Sequence, residues 1–537
     1  MYEDDLYKIT PALGISGFDL WKLILGSGWE GRPLQDSLIY LISFFGIRLG
    51  GLHLVYVLGY LIVTANAFLF FTFLKRLSNE NIFALTGALA FCLFPADTTH
   101  AFLTHSLGLQ PSLAFLLGAF LCYLSGEKMA SYGVILGSLF CYETMIPVFL
   151  VAPLLTKNWD PKKVRELGRH AFILGSMLVC AFVIRRFFAG EGRCVQLSFL
   201  EGLLLSTEHM LKGPVVCLLM FLYRSTEIIF TFHANMIMPV SLCFAGFAWL
   251  LFQQNREPAG AGNKKGAISS PERCLSLGRL AWIGVAMLVL AYPITFTTNV
   301  TDIASGRESR VHAAAVVGAS ILCACFCSRF FLIANAYRRK GIAALSLAVF
   351  FASLVGFGLT VQKDYATSWQ YQRAFWTDVI ALCPDMTEGT IILVESHPLK
   401  NPQQIRAHFV CVYPSLLESI YQFPNNWENV PRVYALKLRW QEKVVSGEDS
   451  FLLSKMVLFW QPFPGQRSDG MIHSTSAILL GSRNGRLTRR TEPLIINGHE
   501  FRLKEKPVMT SPPFPKGPLY RYLIKDLGEK PVDYLVE

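Results

Sequence analysis

Polar residues punctuate this chain at places where polarity is costly. An acidic triplet, Glu3-Asp4-Asp5, opens it, and Asp97, His100 and His105 follow a long apolar run. Glu143 interrupts a second run, and Arg307, Arg310 and His312 lead into a third. A lipid-facing carboxylate is expensive, so each belongs in water, in the headgroup layer or in a polar cavity. Carboxylates, histidines and arginines around one membrane cavity fit group transfer from a lipid-linked phosphate. An ionised aspartate, of ordinary pKa about 3.9, takes a proton from an acceptor hydroxyl as that oxygen bonds to carbon. Arginine matches phosphate with a planar fork and keeps its charge. Stabilising the departing phosphate supplies the larger part of the effect. Every one of these residues also has a plainer reading. The triplet reads equally as an exposed terminus. A membrane histidine is more often structural than catalytic, and Arg310 at the head of a span is an interfacial anchor. Arg185 and Arg186 either serve an outer cavity or snorkel.

The composition says what must hold such residues. Of 537 residues, 52% are hydrophobic and only 16% charged, where a soluble chain carries about a quarter. Long apolar runs make this a polytopic membrane protein. The formal net charge of +11 is assigned to cytoplasmic loops, and no nucleic-acid-binding motif is present. Most cysteines sit inside apolar runs as small hydrophobes, and Cys323, Cys325 and Cys327 do not share a helical face. Cys383 and Cys411 lie in the polar tail, where sequence leaves their pairing open. The first residues are acidic rather than basic and then apolar, so no cleavable signal peptide is expected.

Residues 38–47 are too short to span and read as an interfacial helix. Spans are expected over about 49–74, 82–95, 107–124, 171–188, 235–252, 280–296, 311–332 and 342–361. The run 131–155 is split at Glu143 into two short passes. A single span would put the basic cluster Lys157–Arg169 outside, against the positive-inside tendency. The segment 189–231 is expected outside, part of it in the interface, and residues 253–278 form a cytoplasmic linker. From Gln362 charges, prolines and aromatics mix, and 389–395, 432–440 and 477–480 read as strands. Two domains follow, an embedded one over 1–361 and an extracytoplasmic α/β one over 362–537. This topology puts the triplet, Asp97, His100, His105, Glu143, Arg307, Arg310 and His312 on the outer face. The segment before Leu49 must then begin outside. That implies N-out insertion or an upstream helix of roughly 20 apolar residues.

Acidic residues in the first outer loop, then Gly31-Arg-Pro-Leu34 and a juxtamembrane helix, resemble the GT-C class of membrane glycosyltransferases. The likeness is to bacterial relatives of protein O-mannosyltransferases and lipid A aminoarabinose transferases. Ser138–Pro147 resembles the short paired helices in the middle of that fold, and Gly306–His312 an outer loop near the donor phosphate. The resemblance implies an α-helical polytopic fold of roughly ten to eleven spans or half-spans with a C-terminal α/β domain. It implies inverting transfer of a sugar from a polyprenyl-phosphate donor to a lipid, glycan or protein acceptor, outside a bacterial cytoplasmic membrane. Asp5, or Asp4, would be the base. Asp97, His100 and Glu143 would line the substrate site, and Arg307, Arg310 and His312 would face the phosphate. No cofactor is expected; a divalent metal at Asp97 and His100 would lack a clear further ligand. The chain departs from the pattern in lacking the usual first helix. A flippase of lipid-linked sugars would show internal repeats, and none is visible. A non-catalytic envelope-assembly protein is the remaining alternative.

Overall fold

A computed structural model describes residues 4–27, 32–156, 161–188, 199–256, 275–295, 305–395, 416–436, 445–446, 450–452, 471–473, 477–496, 499–501, 504, 513–524 and 532–534. The chain divides into two compact units, Ser16–Lys363 and Met1–Ile15 with Asp364–Glu537.

The first unit is helical. Among the described residues of the chain, seven helices are long and apolar enough to cross a membrane: Pro33–Ser78, His105–Leu124, Lys163–Ile184, Leu200–Thr231, Ala234–Gln253, Glu308–Ala336 and Lys340–Leu382. Shorter apolar helices are Asn81–Cys92, Lys128–Cys141 and Leu277–Leu290. This is compatible with a helical membrane protein.

Pro33–Ser78 is two helices joined at Gly50–Gly51. Gly51 takes φ +68° and ψ −164°, a region essentially closed to residues with a Cβ. The expected interfacial helix and the following span are thus separated where two adjacent glycines permit it. The break expected at Glu143 is also present. Lys128–Cys141 stops, Tyr142 is extended, and short turns follow through Leu155. Pro147 and Pro153 keep those turns from joining into one helix.

Phe199–Thr231 is a single helix, and between Ser206 and Ile228 it touches one end of the bundle. Ser206 donates to the Pro293 carbonyl at 2.9 Å, and His209 Nδ1 donates to the Thr295 carbonyl at 2.6 Å. Gly213 lies against the Tyr292 ring, Phe221 packs on Phe94, and Gly356 lies against Ile228. From Ser206 to Ile228 the helix advances about 33 Å. Its partners lie where Asn81–Cys92 and Leu277–Leu290 end and near the end of the apolar part of Lys340–Leu382. Length and composition would let this helix cross a membrane; its side-chain contacts from Ser206 to Ile228 nevertheless lie at one end of the bundle.

The second unit holds the mixed structure. Ile391–Glu395 pairs in parallel with Arg432–Leu436 on one side and Ala477–Arg483 on the other. A strand flanked on both sides in this way is an unbroken apolar run. Arg486–Arg489 adds an antiparallel edge. Asn484 and Gly485 turn the hairpin with φ of 53° and 71°, the positive pair a type I′ turn requires. Asp4–Gly14 is a helix of this unit. Its Asp5, Leu6, Ile9 and Ala12 are buried.

Candidate functional site

At the end crossed by Phe199–Thr231 polar residues of the helical unit are enclosed. After Asn81–Cys92 the chain reaches Pro95 and leaves the helix. Asp97 then closes a local turn. Its Oδ1 accepts from the Thr99 amide at 2.9 Å and the Thr99 hydroxyl at 2.5 Å, the aspartate-turn geometry that competes with helix. Thr98 ties this loop to a segment more than 200 residues away. Its amide donates to Ser309 Oγ at 2.9 Å, and its hydroxyl accepts from the Gly306 amide at 2.8 Å. Ser309 in turn donates to the Gly306 carbonyl at 2.7 Å. Gly306 has φ +68°, so the turn opening Gly306–Ala315 depends on glycine there.

Arg224 joins the same knot from the crossing helix. It donates to Ser305 Oγ at 2.9 Å and to Glu227 at 2.6 Å, and its guanidinium lies 5.0 Å from the Phe357 ring centroid. The side chains of Arg224 and Glu227 are 4% and 9% exposed. A buried charge survives in a protein when it is paired and hydrogen-bonded, and here it is both. Tyr292, at the end of Leu277–Leu290, shares a 2.8 Å hydrogen bond with His312 Nδ1. The Cys217 thiol is in hydrogen-bond reach of the same hydroxyl. His312 is buried, and its Nε2 has no hydrogen-bond partner among the described residues.

Asp97 and His100 line one small cavity with Gln110, Cys92 and Ala313, of about 20 Å³, room for roughly one water. Gln110 meets His100 Nδ1 at 3.4 Å, and Asn66 donates to the Gln110 side chain and carbonyl, both at 2.9 Å. Glu143 is held by Arg32, which donates to its two oxygens at 2.8 and 3.1 Å. The Arg32 guanidinium lies 4.4 Å from the Tyr142 ring centroid. This is the two-pronged geometry in which arginine binds carboxylate most tightly. Arg310 is half-buried and makes no hydrogen bond or ion pair with a described residue.

Of the residues singled out in the sequence, Asp97, His100 and His312 lie in or beside one knot of loops. Glu143 is engaged by Arg32, and Arg310 has no polar partner among the described residues. His312 is enclosed rather than presented. Asp5 is fully buried in the other unit. The side chains of Asp4 and Arg307 lie outside the described residues. No three His, Cys, Asp or Glu side chains cluster as metal ligands among the described residues. Arg32, Arg224 and Tyr292 were not legible as members of the site. The i, i+3 pair Arg224 and Glu227 inside an apolar run was the signal available for two of the four partners in that ion-pair knot. No family model, curated protein or solved structure matches this chain.

Proposed function

We propose that the chain is a membrane glycosyltransferase of the outer face of a bacterial cytoplasmic membrane, moving a sugar from a polyprenyl-phosphate donor to a lipid, glycan or protein acceptor. The observation that carries this reading is the enclosure of ionisable and hydroxyl side chains at one end of the helical unit, where the side chains of Arg224, Glu227, Asp97 and His312 are buried and bond across the loops. Such groups are expensive in a membrane and mark function by default. In the step that the resemblance implies, the acceptor hydroxyl gives its proton to a carboxylate, the role it assigns to Asp5, or Asp4, while its oxygen bonds to the anomeric carbon. The carbon–phosphate oxygen bond breaks, with inversion, and the negative charge leaves on the lipid phosphate. Arg310 and Arg307 are the phosphate partners in this scheme.

The test is a transfer assay in proteoliposomes with a panel of polyprenyl-phosphate sugars. Asp5→Asn keeps size but loses proton affinity, so turnover falls about 10²–10⁴-fold with donor binding little changed. Arg310→Ala weakens donor binding as well as rate. Both variants are first checked for a single folded species. A folded Asp5→Asn protein and a folded Asp4→Asn protein, each with full turnover, would remove the proposed base.

One observation favours a second reading, transport of a lipid-linked sugar. The helix Lys128–Cys141 is interrupted at Tyr142, beside the Glu143–Arg32 pair, as in many transporters. The same assay separates the two. Transport moves the labelled donor across the bilayer and forms no new glycosidic bond.

A further inference from the structure

The helix Gly17–Ser27 carries apolar residues on two neighbouring arcs, one buried and one exposed. Leu20 and Ile24, one turn apart, are 3% and 9% exposed. Phe18, Trp21 and Leu25, also at helical spacing, are 71%, 58% and 69% exposed. At 100° per residue these three fall within one arc of about 60°, centred about 110° around the helix from the buried pair. Such a helix has one side for protein and another that water does not suit. The neighbouring Pro33–Ser78 helix continues this surface just before its break, with Phe45 and Leu49 exposed. Basic groups border it: Lys22 lies 4.6 Å from the Phe18 ring and Arg48 lies 3.6 Å from the Phe44 ring.

We propose that Gly17–Ser27 and the segment leading to Gly50 form a ledge that lies in the membrane interface, with Phe18, Trp21, Leu25, Phe45 and Leu49 inserted below the lipid headgroups. Continuity of the chain argues for a lipid surface as the occupant. The ledge ends at Gly50–Gly51, and from there the same helix runs on through Ser78 as an apolar segment of spanning length. The ledge therefore meets the helix where that helix enters hydrocarbon. Its composition agrees. Aromatic rings sit at headgroup level, and Lys and Arg stems reach back to water from there. Asp19 is exposed beside Lys22, where it caps with Ser16 at 2.6 Å, and so marks the water side. This surface is independent of the transferase reading.

The test uses the full chain in lipid nanodiscs with a nitroxide attached in turn at positions 18, 21, 25, 45 and 49, and at 19 as the control. Collision with oxygen reports hydrocarbon, and collision with a water-soluble nickel chelate reports water. The expected result is oxygen-dominated relaxation at 18, 21, 25, 45 and 49 and nickel-dominated relaxation at 19. Nickel-dominated relaxation at all six positions would overturn the proposal. So would shielding from both reagents at 18, 21 and 25, which would mean that protein, including a second copy of this chain, covers the ledge. Phe18→Ser combined with Leu25→Ser gives a second reading. It should leave the bundle folded and raise nickel access at position 21 several-fold, and unchanged access there would also count against the ledge.

Discussion

The two ends of the helical unit solve different problems with the same residue types. At the end crossed by Phe199–Thr231, ionisable and hydroxyl groups are enclosed and bond to partners far away in sequence. Thr98 meets Ser309, and Arg224 meets Ser305. At the opposite end basic residues sit near the surface. Arg76 donates to Ser125 at 2.8 Å, and Lys128 and Lys163 share Glu166 at 2.5 and 2.8 Å. Arg279 donates to the carbonyls of Leu154 and Thr156, and the Leu275 amide to the Leu77 carbonyl at 3.1 Å. A cation near a helix C-terminus satisfies carbonyls that have no partner inside the helix. The difference teaches that charge at the basic end is held loosely in high dielectric. At the polar end it is locked into geometry and costs much to disturb.

The largest effect should come from Glu227→Ala. It strands the enclosed Arg224 guanidinium, and breaking a buried pair from one side costs about 3–5 kcal/mol. Denaturation in detergent should show that loss, and a change under about 1 kcal/mol would mean that the pair is solvated. Ser309→Ala should rank next. It leaves the buried Thr98 amide without its acceptor, a loss of about 1–3 kcal/mol measurable in the same way. Equal stability of the variant would show that the loop knot does not depend on this hydroxyl.

The mixed unit supplies a pH-dependent case. Burial alone would raise the Asp385 carboxyl, but the Arg489 guanidinium, 2.6 Å away, more than offsets this and leaves it below its ordinary range. A carboxyl lowered by folding stabilises the fold above its unfolded pKa of about 3.9. That contribution is lost as pH falls through the folded value. Asp385→Asn should flatten the acid limb of the stability curve of this unit, and an unchanged limb would remove the assignment. The smallest effect belongs to the basic end. Lys128→Ala breaks an ion pair whose side chains are 53% and 23% exposed. It should cost only about 0.2–1 kcal/mol and shrink further in high salt. A loss comparable to Glu227→Ala would erase the distinction between the two ends.

Sequence pattern carried the fold further than the site. Apolar runs located most helices. Glu143 with Pro147 marked the break after Cys141, and 389–395 announced the central strand, because periodicity and breakers act locally. The Asn484-Gly485 turn was equally local and legible in principle. Arg32 binding Glu143 was not legible, because it joins residues 111 positions apart through tertiary packing. Composition left the acidic triplet open between an exposed terminus and a polar cavity, and Asp5 is buried. The helix Asp4–Gly14 places it on the same side as Leu6, Ile9 and Ala12, and sequence spacing alone did not say which side would pack. Residues 38–47 read as interfacial, but Gly17–Ser27 was missed for the opposite reason: its buried and exposed apolar arcs are neighbours, so no single amphipathic stripe stood out.

The most direct test of the account asks whether the two ends face opposite sides of the membrane. His233, beside the end of the crossing helix, is exposed, as are Arg165 and Arg339 at the basic end. Each is changed to cysteine, and intact cells are treated with a membrane-impermeant maleimide, with the unsubstituted chain as background. The account predicts labelling at position 233 from outside and labelling at 165 and 339 only after the cells are opened. Labelling of 165 or 339 in intact cells, or protection of 233, would contradict it.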